Sequence, residues 1–194
     1  MTTPTINLRD SVILIAEGSQ YLSMIVHGIL RGFGAHKVME VRSSLEVLQA
    51  LTGQKIDILL CDARLPPHGG LNLTHAIRRK VDSENRMIPI LLMSSDTREK
   101  TIKQARDAGA NMVIAKPISP ANLYDRLAWI ALTRRQFVDA PTYFGPDRRF
   151  KIEGYPGGVG RRKGDQVEVA EESGPALAQD DIDNLFSAAQ SGKD

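Results

Sequence analysis

Four residues of different chemistry each follow a short apolar run. Glu17 comes after residues 12–16, Asp62 after 56–61, Ser94 after 88–93 and Lys116 after 112–115. Continuous apolar runs of this length suit strands buried on both faces, and so a parallel sheet covered by helices. In such a sheet, ligands sit outside the carboxyl ends of the strands, at the switch in strand order. The spacing therefore predicts two carboxylates, a hydroxyl and an ammonium converging on one rim. That set suits reversible phosphorylation of a carboxylate. An Asp attacks, a divalent cation offsets charge, and a hydroxyl and an ammonium hold the phosphoryl oxygens. Taken singly, each acid reads as a loop residue or helix cap and the lysine as a surface turn. Their convergence is what sets them apart.

The elements that must position them alternate. A weaker strand fits 37–41, between segments of helical spacing. Leu22, Ile25, Val26, Ile29, Leu30 and Phe33 suit one helix, ended by Gly34. Leu45, Val47, Leu48 and Leu51 suit a second, and Leu71, Leu73, Ile77 and Val81 a third. A fourth spans about 97–108, and a fifth about 120–132 with Ser119 as N-cap and Pro120 in its first turn. Five strand–helix units predict an α/β fold with a doubly wound, five-stranded parallel sheet over residues 10–133.

Composition limits the rest. The chain has 194 residues, enough for one domain of ordinary size plus extra material. Its one cysteine, Cys61, excludes a disulfide framework and a Cys-rich zinc site, and reads as a small core residue. His27, His36, His68 and His75 lack metal-ligand spacing. No apolar run approaches the roughly 20 residues that span a bilayer, and residues 1–10 lack the apolar stretch of a signal peptide. A cytoplasmic location without membrane partners is expected. The net charge of +2 divides into +4 over 1–133, +5 over 134–164 and −7 over 165–194. A basic stretch followed by an acidic one is the pattern of a tail.

Residues 10–133 resemble the receiver domain of two-component response regulators, a flavodoxin-like fold. The segment Leu59-Leu60-Cys61-Asp62-Ala63-Arg64-Leu65-Pro66-Pro67-His68-Gly69-Gly70 matches the family's phosphoacceptor region. The resemblance places the phosphoacceptor on Asp62 and phosphoryl contacts on Ser94 and Lys116, with Lys116-Pro117 and Gly109-Ala110 as further matches. It implies Mg²⁺ held by Glu17, Asp62 and the backbone carbonyl of Arg64, and a histidine kinase as phosphodonor. It implies no enzyme activity beyond self-phosphorylation from a phosphodonor. Two departures stand out. Gly18 replaces the family's second acid, which weakens the expected Mg²⁺ site, and Val113 stands at the family's switch aromatic. The Arg64 guanidinium either fills the pocket in place of the cation or points outward.

From Arg134 the periodicity fails. Residues 134–174 form a basic Gly/Pro-rich linker, expected to be mostly disordered or draped on the domain. Within it, 137–149 resembles an extension of alphaproteobacterial regulators and offers Arg148 and Arg149 as an anion fork. No DNA-reading module follows, so no DNA partner is expected. The acidic segment 175–192 carries a short amphipathic helix. Its residues 177–186 resemble the flagellar switch protein's receiver-binding peptide, with Ile182, Leu185 and Phe186 as partner-binding anchors. The implied partner is another receiver or the chain's own. Two functions follow. One is a phosphoacceptor signalling through protein contacts, in chemotaxis or motility. The other is a pseudo-receiver adaptor with vestigial phosphorylation, whose Arg-rich tail binds a nucleotide second messenger.

Overall fold

The computed structural model describes residues 6–133 and 135–148. Five strands, β1 (Val12–Ala16), β2 (Lys37–Val41), β3 (Ile58–Asp62), β4 (Ile90–Ser94) and β5 (Met112–Ala115), pair in parallel. Five helices connect them: α1 (Gln20–Gly32), α2 (Ser44–Gly53), α3 (Gly70–Arg79), α4 (Glu99–Asp107) and α5 (Pro120–Leu132). The strand order is β2-β1-β3-β4-β5, so the switch falls between β1 and β3. Alternate strand residues face opposite layers. Leu14, Leu59, Cys61, Leu92 and Val113 pack with Val47, Leu73, Ile77 and Ile102 of α2, α3 and α4. Ile13, Ile15, Leu60, Leu91 and Ile114 pack with α1 and α5 through Val26, Leu30, Leu123, Leu127 and Trp129. This is the doubly wound arrangement expected. No described helix is long and apolar enough to cross a membrane.

Local chemistry explains the element ends. Ser119 Oγ accepts from the Asn122 N–H at 3.2 Å, and Pro120 opens α5 as read from sequence. At α2, the N-cap Ser43 Oγ accepts from the Glu46 N–H at 3.2 Å, and the Glu46 carboxylate accepts from the Ser43 hydroxyl at 2.8 Å and the Arg42 N–H at 3.1 Å. Strand β4 begins after Pro89, which has no N–H to give the ladder, so it starts two residues later than its apolar run. The buried stripe of α1 is Ser23, Val26 and Leu30, whereas Leu22, Ile25, Leu45 and Val81 are exposed.

For residues 135–148 the tail is draped rather than disordered. β6 (Phe137–Ala140) and β7 (Tyr143–Pro146) form an antiparallel hairpin. It lies against the turn between α4 and β5, where Gly109 has φ +94°. A Cβ on Gly109 would fall 2.9 Å from Arg78 Cγ and 3.0 Å from the Phe144 carbonyl oxygen, and one on Gly145 3.0 Å from Gly109 Cα. Arg78 organises this corner from within. Its guanidinium donates to Gly109 O at 2.9 Å, Arg86 O at 2.7 Å, Ile88 O at 2.8 Å and Asn111 Oδ1 at 3.0 Å. It lies 5.0 Å from the Phe137 ring centroid. Burial pushes its pKa down to about 9, which leaves it charged at neutral pH. The remaining linker, the acidic segment, Arg149, Ile182, Leu185 and Phe186 lie outside the described residues.

Candidate functional site

Each candidate side chain is fixed by a backbone bond that prolongs the sheet by a residue. Glu17 N–H donates to Val41 O at 3.1 Å, Ala63 N–H beside Asp62 to Met93 O at 2.9 Å, and Lys116 N–H to Ser94 O at 2.8 Å. These bonds bring three charges together at the switch. Lys116 Nζ lies 2.6 Å from Glu17 Oε2 and 3.1 Å from Asp62 Oδ1. Glu17 is buried, and Asp62 and Lys116 keep 16% of their side-chain surface exposed, enough for a reactant to reach them. Two carboxylates share one ammonium, so the trio carries −1. Glu17 Oε1 also accepts from the Ser19 N–H at 3.0 Å, and Asp62 Oδ1 from the Arg64 N–H at 3.2 Å.

The residual charge suits a cation, and carboxylate oxygens suit Mg²⁺. The oxygens at hand are those of Glu17 and Asp62, with the Arg64 carbonyl two residues beyond Asp62. Gly18 adds none, and the Pro66 ring lies 3.4 Å from where its Cβ would be. Among the described residues, no three His, Cys, Asp or Glu side chains are grouped to hold a metal. A reduced set of two carboxylates therefore fits Mg²⁺, which takes its remaining ligands from water or a phosphoryl group. The gap at Gly18 has space for a side chain and no strained φ. Gly18→Asp is expected to raise Mg²⁺ affinity about tenfold, or about 1.4 kcal/mol, by calorimetric titration. Unchanged affinity contradicts this placement of the missing ligand.

Ser94 and Arg64 sit differently from expectation. Ser94 is on the rim at the end of β4, but its Oγ closes its own turn, donating to Asp96 O at 2.9 Å and accepting from Asp96 N–H at 3.1 Å. It must rotate to meet a phosphoryl oxygen. Arg64 does not fill the pocket: it is exposed, and its guanidinium donates to Ser95 Oγ and ties the loop after β3 to the loop after β4. Lys116, not Arg64, is the cation paired with the two carboxylates, and it offsets one of their two charges. Arg98 holds the Asp96 carboxyl well below the usual range by hydrogen bonding, which commits that acid outside the trio. Arg148, expected as an anion fork, pairs with Asp107 Oδ1 at 2.7 Å and lies over Tyr143. Its charge is thus matched inside the chain.

Next to Asp62, burial first and the Asp62 and Glu17 carboxylates second push the Cys61 thiol up. Cys61 is expected to resist a thiol reagent in the folded chain and to label fully after unfolding in urea. Native-state labelling at a free thiol's rate contradicts its burial. Sequence reasoning missed Arg78, which carries the hairpin's seat. The available signal was an arginine on the apolar stripe of α3, four residues after Thr74 and one after Ile77, both buried.

The model of the family described as response regulator receiver domain matches residues 13–128. The sensory/regulatory protein RpfC of Xanthomonas campestris pv. campestris is 30% identical over 135 residues, covering 70% of this chain. The matched part spans only 18% of that relative's length. The chemotaxis protein CheY-3 of Vibrio cholerae is 30% identical over 119 residues, covering 61% of this chain and 90% of the relative. Among solved structures, the receiver domain of the sensor histidine kinase PA1611 from Pseudomonas aeruginosa, with magnesium coordinated in its active-site cleft, is similar. It superposes with a TM-score of 0.55 at 26% identity, over 61% of this chain and 94% of that one.

Proposed function

This chain belongs to the response regulator receiver domain family, a family of signalling modules, and from that premise we propose that it is a two-component receiver phosphorylated on Asp62. The observation that carries the reading is the Lys116 ammonium bracketed by the Glu17 and Asp62 carboxylates at the strand-order switch. An Asp62 carboxylate oxygen attacks the phosphorus of a phosphohistidine in line. The O–P bond forms, the P–N bond breaks, and the imidazole leaves with a proton from solvent. Lys116 already touches the attacking carboxylate, so its ammonium is placed to follow the charge onto the phosphoryl oxygens. Ser94, turned out of its closed loop, supplies a second donor. Glu17, Asp62 and the Arg64 carbonyl would hold Mg²⁺, which would supply charge to offset that of the phosphoryl group.

A sensor histidine kinase is the donor in this reading, and output runs through protein contacts in chemotaxis or motility. The similarity to a chemotaxis receiver supports that setting. The segment carrying Ile182, Leu185 and Phe186 is read as a receiver-binding element, for another receiver or this one. Transfer of label from an autophosphorylated sensor kinase to the chain, lost in Asp62→Asn, is expected. Equal labelling of the variant contradicts the reading. The pseudo-receiver reading draws on Gly18 in place of an acid and Val113 in place of the switch aromatic, and it predicts no label in either protein.

A further inference from the structure

A groove of about 530 Å³ lies between α3, the 3-10 helix Glu84–Met87 and the hairpin. Its lining includes His75 and Arg79 of α3, Arg86 of the 3-10 helix and the buried Arg78. Arg78 donates only to neutral acceptors, so no carboxylate among the described residues matches its charge. Arg79 has no ion pair among the described residues. Two carboxylates also line the groove. Asp139 stands 3.7 Å from Arg86, while Asp107 is taken by Arg148 at 2.7 Å and Arg106 at 3.4 Å. Val81, 69% exposed, adds an uncovered apolar side chain. The groove therefore offers surplus positive charge beside an apolar contact.

The chain leaves the described structure at the edge of this groove. Arg148 lies over Tyr143 and pairs with Asp107, both lining residues. About 30 residues then lead to position 180, a length that reaches roughly 100 Å when extended. The segment they deliver is acidic, with −7 over residues 165–194. Within it Asp180, Asp181 and Asp183 are interleaved with Ile182, Leu185 and Phe186.

We propose that residues 177–186 seat in this groove, with the aspartates toward Arg79, Arg86 and His75 and the apolar side chains over Val81. The proposal rests on the reading of that segment as a receiver-binding element and specifies its place on this chain. Tethering gives the segment an effective concentration on the order of 1 mM, so a weak contact suffices. Exposed ion pairs of this kind are screened by salt.

The test is an amide-shift comparison of the full chain with its Asp180→Asn/Asp181→Asn/Asp183→Asn variant and with Arg79→Glu. Expected are differences confined to residues 75–87 and 139–144. In about 0.5 M NaCl the wild-type spectrum is expected to move onto the variant's. Restoration of the wild-type pattern by joining Arg79→Glu with Asp181→Arg supports direct pairing. Differences centred on α4 and α5, or no differences, overturn the placement. So do groove shifts produced by inorganic phosphate equally in wild type and the triple variant, which make the groove a free-anion site. Titration of a peptide of residues 175–190 into a separate chemotaxis receiver keeps the two ideas apart. Binding there without intramolecular shifts leaves the receiver-binding reading standing and removes only the groove.

Discussion

Arg78→Met is expected to lower the unfolding free energy by about 3–5 kcal/mol. The substitution keeps the apolar stem and removes a guanidinium that serves four acceptors. Each buried acceptor left without a donor costs about 1–3 kcal/mol. Removing the buried charge returns part of that, because its desolvation cost disappears. The Gly109 carbonyl belongs to the turn between α4 and β5, and the Arg86 and Ile88 carbonyls to the 3-10 helix Glu84–Met87 and its C-cap, so one guanidinium ties the two segments together. Against a typical total of about 5–15 kcal/mol, the variant stands near its unfolding threshold. The hairpin is expected to loosen first, since the Phe137 ring centroid lies 5.0 Å from the Arg78 guanidinium. Urea unfolding measures the total, and amide exchange at residues 137–146 measures the hairpin. A loss under about 1 kcal/mol with unchanged exchange contradicts the role given to Arg78.

Gly70→Ala acts on the phosphoacceptor directly. A Cβ at residue 70 would lie 2.2 Å from the Asp62 carbonyl oxygen and 3.0 Å from Cys61 Sγ, with backbone rather than a flexible side chain as the obstacle. A shift at the end of β3 moves Asp62 relative to Lys116 directly, and a retreat of α3 pulls on the bond from the Gly70 N–H to Ala63 O, 2.9 Å long and next to Asp62. Overpacking of this kind costs about 1–3 kcal/mol. A displacement near 1 Å slows phosphoryl transfer up to about a hundredfold. Gly28→Ala is the control. No atom lies within 4 Å of its added Cβ on the exposed face of α1, so it is expected to stabilise by about 0.5–1 kcal/mol without changing transfer. Normal transfer in Gly70→Ala contradicts the tight seating of Asp62.

The sheet was legible because strands buried on both faces leave nearly unbroken apolar runs, and the residues ending those runs became the rim. Glu17, Asp62 and Lys116 needed only that logic. Ser94 was placed on the rim, but its closed turn depends on the backbone of Asp96, which no side-chain pattern reveals. The Arg64 contact with Ser95 joins two loops about 30 residues apart. The hairpin left little trace because its four-residue strands include Asp139, Gly145 and Pro146. Its seat depends on Arg78 and Gly109, contributed by earlier elements. Arg148 looked like a free fork only because Asp107, on another element, was not visible as its partner.

Intact-mass analysis of the full chain after acetyl phosphate and Mg²⁺, with Asp62→Asn and a chelator as controls, tests the central claim most directly. The account predicts an adduct of one phosphoryl group that is lost in Asp62→Asn and falls when Mg²⁺ is removed. An adduct that persists in Asp62→Asn, or none from either acetyl phosphate or an autophosphorylated sensor kinase, contradicts it.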